Sequence, residues 1–124
     1  MEAERLVLAS FIAITFVFLT ALIIAIDWAA VKGHLRRNQF VGIRTSSTMR
    51  SDQAWVAGHR AALRLTPLHL VTGVSLVIGV FSAQSFAGLN LVGVCGAVVF
   101  VLVAAFTAVI AGRAAKAAEE DSDR

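Results

Sequence analysis

The stretch that decides the fold is LVLASFIAITFVFLTALIIAIDWAA, Leu6 to Ala30, in which Asp27 is the only charged residue. Its 25 residues, coiled at about 1.5 Å each, exceed the roughly 30 Å hydrocarbon core of a bilayer. The segment therefore reads as a membrane span. Two more segments read the same way: 67–86, without formal charge and with His69 and Gln84 as its strongly polar residues, and 89–111, with no charge at all. Ser85, Gly88 and Asn90 lie around the junction of these two and suit a tight helical hairpin. Composition agrees, with 58% hydrophobic and 15% charged residues and a mean hydropathy of +0.80 in 124 residues. That is too apolar for an ordinary water-soluble domain. The expected fold class is all-α integral membrane protein in a single domain, 1–124. It has three spans (about 6–30, 67–86 and 89–111), a loop over 31–66 and a tail over 112–124.

The first span is too long for a secretory signal, whose apolar region is roughly 7 to 15 residues, and Glu2 and Glu4 spoil the basic flank such a signal needs. It is expected to remain in the mature chain. Cys95, the single cysteine, falls mid-way along the third span, where it counts as a small apolar residue.

Lys and Arg near span ends stay on the cytoplasmic side. The loop holds Lys32, Arg36, Arg37, Arg44, Arg50, Arg60 and Arg64, and the tail adds Arg113, Lys116 and Arg124, against Arg5 alone on the opposite face. The expected location is the bacterial inner (cytoplasmic) membrane, with the N-terminus outside and the C-terminus in the cytoplasm. The tail, Ala-rich and then acidic through Glu119, Glu120, Asp121 and Asp123, reads as a frayed helix end and a solvated terminus. In the loop only Asp52 opposes the bases, so it should be drawn to anionic headgroups at about 1 kcal/mol per basic residue near the surface. No recognised nucleic-acid-binding motif accompanies the charge, and nucleic acid is not expected as a partner.

Within the loop, SDQAWVAGHRAALR (Ser51 to Arg64) opens on a hydroxyl N-cap, places an acid in the first turn and continues in good helix formers. A helix over about 51–64 follows. At 100° per residue Asp52, Trp55, His59, Ala62 and Leu63 share one side, and Gln53, Arg60 and Arg64 the other. The aromatic anchor and basic face suit a short amphipathic helix lying at the membrane interface. Thr66 and Pro67 interrupt it and start the second span afresh, the alternative being one continuous bent helix.

The loop also carries a dense pattern, N-x-x-x-G-I-R-T-x-x-T-x-x-S-x-x-A-W-x-x-x-H-R. It is made by Asn38, Gly42, Ile43, Arg44, Thr45, Thr48, Ser51, Ala54, Trp55, His59 and Arg60. With the surrounding spans this resembles the SdpI family, bacterial membrane proteins named for an immunity protein against a secreted toxic peptide. The resemblance implies a multi-span inner-membrane protein. The family's named member protects its cell from the toxin and relays the toxin's presence by holding a repressor at the membrane. That member carries further spans before the shared region, so this chain is expected to be a short form with the shared region alone.

Read physically, Gly42 suits a positive φ or a close backbone approach, and Asn38 and Thr45 suit turns and caps. Arg44 with the hydroxyls of Thr45, Ser46, Ser47 and Thr48 forms a candidate anion site, aided by amides at the helix start; the plainer reading pairs Arg44 with Asp27 or with lipid. Asp52, Trp55 and His59 are spaced for an acid and base reading, against a plainer one with Trp55 as interfacial anchor and His59 as partner of the first-span end. Intramembrane acids usually find a partner, so Asp27 and His69, at similar depth, are expected to face one polar pocket, unless Asp27 snorkels into the interface. Gly73 and Gly79, and Gly93, Ala97, Ala104, Ala108 and Gly112, leave flat faces for close helix packing in lipid.

No zinc spacing, phosphate loop or nucleophile elbow is present, and His34, His59 and His69 are scattered, so neither an enzyme nor a metal or cofactor site is expected. The leading function is SdpI-like: immunity against, or sensing of, a membrane-active peptide through the motif loop. The alternatives are a small accessory subunit of a larger membrane complex and a protein that binds or modifies a lipid phosphate. Expected partners are anionic lipid headgroups, a protein partner or second copy, and the membrane-active peptide.

Overall fold

The computed structural model describes residues 1–122. Asp123 and Arg124, the end of the expected tail, lie outside the described residues. Four helices follow one another: α1 (Glu2–Val31), α2 (Asp52–Leu63), α3 (Thr66–Ser82) and α4 (Phe86–Ser122), with no strand among the described residues. α1 and α4 are long and apolar enough to cross a membrane, with mean hydropathies of 2.7 and 2.8, and the bent α2–α3 pair would supply a third crossing if it is one span. α3 alone has 17 residues, about 26 Å of helix, because it stops at Ser82 rather than Phe86.

Each boundary has a local cause. α1 ends where Gly33 turns to φ +78°, letting the Leu35 N–H reach back to the Ala29 carbonyl at 3.0 Å. α2 begins at the expected cap, the Ser51 hydroxyl accepting the Ala54 N–H at 3.0 Å. α2 ends at Leu63 and α3 starts at Thr66. Pro67 fits there because its missing N–H falls in a first turn, where that donor has no helical partner. Ser85 caps α4 through the Gly88 N–H at 3.0 Å.

α4 runs on to Ser122, where the sequence suggests a frayed end after Ala111. The alanines of the tail are strong helix formers. Ala111 and Ala115 are buried, and outside contacts hold the last turns: Arg50 pairs with Glu119 at 3.4 Å and the Gln53 amide donates to the Ala118 carbonyl at 3.4 Å.

Two compact units make up the chain. The first comprises Met1–Ala21 and Pro67–Val103. Its core is Ala9, Ala13, Leu76, Val80 and Leu89, flanked by Ile12, Phe16, Val77 and Val92. Small residues set the helix spacing: a Cβ on Gly96 would fall 1.8 Å from Leu76 Cδ1, and one on Gly79 3.0 Å from Val92 Cγ1. This is the close backbone approach by which helices associate in lipid. Phe100 packs edge-on against both Phe16 (5.4 Å) and His69 (6.2 Å), and Arg5 donates to the Ala83 carbonyl at the α3–α4 turn. The second unit comprises Leu22–Thr66 and the chain from Ala104 on. It contains the loop, α2 and the motif.

Replacing Gly96 by Val should cost about 1 to 3 kcal/mol through overpacking on Leu76, visible as a lower melting temperature in detergent by circular dichroism. Adding Leu76→Ala to that variant should recover part of the loss.

Candidate functional site

The motif residues converge on the backbone of one residue, Ile43. The N–H of Ile43 donates to His59 Nε2 at 3.0 Å, and the Ile43 carbonyl accepts from the Thr48 hydroxyl at 2.7 Å. Both backbone polar groups of Ile43, which belong to the two successive peptide groups flanking its Cα, are thus held by buried side chains, His59 and Thr48 being fully inaccessible to solvent. Since Nε2 accepts, the proton of the neutral imidazole sits on Nδ1, which donates to the Trp55 carbonyl one helical turn back at 2.9 Å. Burial pushes the His59 pKa below its usual range, only partly opposed by that Trp55 bond.

Around this grip the other residues fit tightly. The Trp55 ring lies 4.1 Å from that of His59, and its indole N–H donates to the Leu35 carbonyl at 3.1 Å. Gly42 has φ +108°, and a Cβ there would lie 2.6 Å from the Trp55 ring and 2.7 Å from His59 Nε2. Glycine is therefore required twice over, by conformation and by space. Thr45 and Thr48 close a turn on each other, the Thr48 hydroxyl taking the Thr45 N–H at 2.9 Å and the Thr45 hydroxyl the Thr48 N–H at 3.1 Å. Gly58 admits the Thr48 methyl and the Ala111 carbonyl, and Gly112 admits Thr45. Asp27, 3% exposed, places Oδ1 3.9 Å from His59 Nε2, a polar neighbour beyond hydrogen-bonding distance.

Several sequence readings are corrected by this geometry. The hydroxyls of Thr45 and Thr48 are used within their own turn, so they do not complete an anion site. Arg44 donates to the Gln39 carbonyl five residues back, its partner being neither Asp27 nor those hydroxyls. Trp55 is 1% exposed and serves as a wall of the grip rather than as a lipid anchor. Asp52 leaves the His59 side for solvent and pairs with Arg37 at 3.2 Å, because α2 buries Ala54, Trp55, Gly58, His59 and Ala62. Asp27 stands beside His59 at the end of the first span, and His69 packs edge-on against Phe100. Ser51 caps α2 and Arg60 lies on its exposed face. Asn38 closes a turn of its own, accepting the N–H groups of Phe40 and Val41, each at 2.8 Å. Among the described residues no group of three or more His, Cys, Asp or Glu is placed to hold a metal ion.

Beside the grip lies an open cavity of about 380 Å³, lined by Leu35, Arg36, Arg37, Asp52, Trp55 and Val56 among others. It combines an apolar floor with a charged rim. The model of the SdpI/YfhL protein family matches residues 34–112, a range that holds the grip, α2, α3 and most of α4. The chain belongs to that family. No curated protein and no solved structure matches it. For this SdpI/YfhL member the motif is first a folding device: it satisfies the backbone N–H and C=O of Ile43 with side chains and packs glycine where no side chain fits.

Three outcomes follow for thermal unfolding in detergent. Gly42→Ala should cost at least about 2 kcal/mol from strain and overlap. Gly33→Ala, where a Cβ meets nothing within 4 Å, should cost only the conformational penalty of about 1 to 2 kcal/mol. Thr48→Val, which keeps the shape and strands the Ile43 carbonyl, should cost about 1 to 3 kcal/mol.

Proposed function

We propose that this SdpI/YfhL protein is a three-span protein of the bacterial cytoplasmic membrane. The basic loop and tail face the cytoplasm, α2 lies at the interface, and the protein confers immunity to, or senses, a membrane-active peptide. Without catalysis, it would act by binding. The observation that carries this reading is the cavity beside the motif, where the backbone around Leu35 and the wall formed by Trp55 are fixed by the grip, and Arg36, Arg37 and Asp52 offer charges of both signs. Such a cleft suits an amphipathic peptide segment, whose apolar side chains take the floor and whose polar groups take the rim. Family membership supports the same reading, and the excess of basic residues in 32–64 supports the orientation.

Expression in a sensitive bacterial host should raise survival severalfold against at least one member of a panel of membrane-active peptides. Arg36→Glu, at the exposed rim, should abolish that gain without lowering the amount of protein in the membrane. Unchanged survival across the panel, together with a stoichiometric protein partner recovered after gentle detergent extraction, would instead support an accessory subunit.

A further inference from the structure

Residues 36–42 hang between two fixed points, the Leu35 carbonyl bound by the Trp55 indole and the Ile43 N–H bound by His59. Within that short span the Asn38 side chain makes four hydrogen bonds. Its Oδ1 accepts from the N–H groups of Phe40 and Val41, and its Nδ2 donates to the carbonyls of Arg36 (2.9 Å) and Val41 (3.2 Å). Arg44 reaches back from beyond the turn to the Gln39 carbonyl. The turn is therefore pinned at both ends, laced internally and clasped from outside. What it displays is apolar: Phe40 is 87% exposed and Val41 41% exposed.

An aromatic ring left in water gains nothing for the fold, yet the polar groups of this turn are spent on holding it out. The flanks carry positive charge. Arg36 is exposed, and Arg44 stands on the carbonyl next to Phe40, whereas the Arg37 guanidinium is engaged by Asp52 and by the carbonyls of Met49 and Arg50. The turn also follows closely on the end of α1 at Val31, one of the two helices able to cross a membrane. An apolar ring with cations beside it, a few residues beyond a span end, has the chemistry of the headgroup boundary, where aromatic rings settle and Arg meets lipid phosphate.

We propose that the Asn38 turn is a membrane-insertion tip, which places Phe40 among the headgroups and upper acyl chains of an anionic bilayer while Arg36 and Arg44 bind lipid phosphates. It rests on α1 spanning the bilayer and not on peptide binding, so it stands or falls separately from the immunity assay. Phe40 occupies an unspecified position of the motif; the specified Asn38 and Gly42 shape the backbone that presents it.

The test uses the full chain in vesicles of phosphatidylcholine and phosphatidylglycerol, with Phe40→Trp in a Trp28→Phe background. The same chain with Phe40 retained reports Trp55 alone. The indole introduced at position 40 should emit at shorter wavelength than in water, and lipids brominated high on the acyl chain should quench it severalfold more than aqueous iodide does. Adding Asn38→Ala should reverse that preference while Trp55 emission and helical content stay unchanged. Emission characteristic of water with dominant iodide quenching would overturn the proposal and point to a protein partner for Phe40. Undiminished lipid quenching after Asn38→Ala would refute the turn as the presenting device.

Discussion

Backbone N–H and C=O groups drawn away from water must be bonded, and at Ile43 the motif loop, which has no helix or sheet ladder of its own there, does not do this by backbone pairing. The side chains of His59 and Thr48 do it instead, one taking the Ile43 N–H and the other the Ile43 carbonyl. Most of the second unit can be read as the conditions for those two bonds. His59 must be neutral with its proton on Nδ1, which the Trp55 carbonyl ensures. Gly42 must lack a side chain, Gly58 must leave room for the Thr48 methyl, and Thr45 must turn the chain so that Thr48 faces inward.

The grip also explains where the surface features sit. With Leu35 held on Trp55 and Ile43 on His59, the intervening turn has little freedom, and its exposed residues occupy defined positions. The cavity rimmed by Arg36, Arg37 and Asp52 and the displayed Phe40 are both consequences of one fixed loop. Motif residues that never touch a ligand can thus govern binding through the surfaces they hold in place.

Hydropathy and capping were readable in the chain, because both are local. The apolar run of α1, the Ser51 cap and the interruption at Thr66-Pro67 each depend on near neighbours in sequence, and the structure has helix ends at each of these places. Periodicity also brought Trp55 and His59 to one face of α2. What α2 packs against could not be read, and this misassigned Asp52 and Trp55: a helical wheel separates faces without saying which face is buried or by what. His59, read from the sequence as partner of the first-span end, stands beside Asp27, 32 residues earlier in the chain, and it is tertiary packing that singles out this residue of the span end. The i, i+4 spacing of Trp55 and His59 with a glycine upstream at Gly42 was the available signal for a packed ring pair.

The state of His59 is where the grip can be checked most directly. Nitrogen-15 spectra of the histidine-labelled protein in detergent at neutral pH should show a neutral His59 ring with its proton on Nδ1, and a coupling across the hydrogen bond from the Ile43 amide to Nε2. A ring protonated on Nε2, or on both nitrogens, would contradict it, since Nε2 could then accept nothing from Ile43.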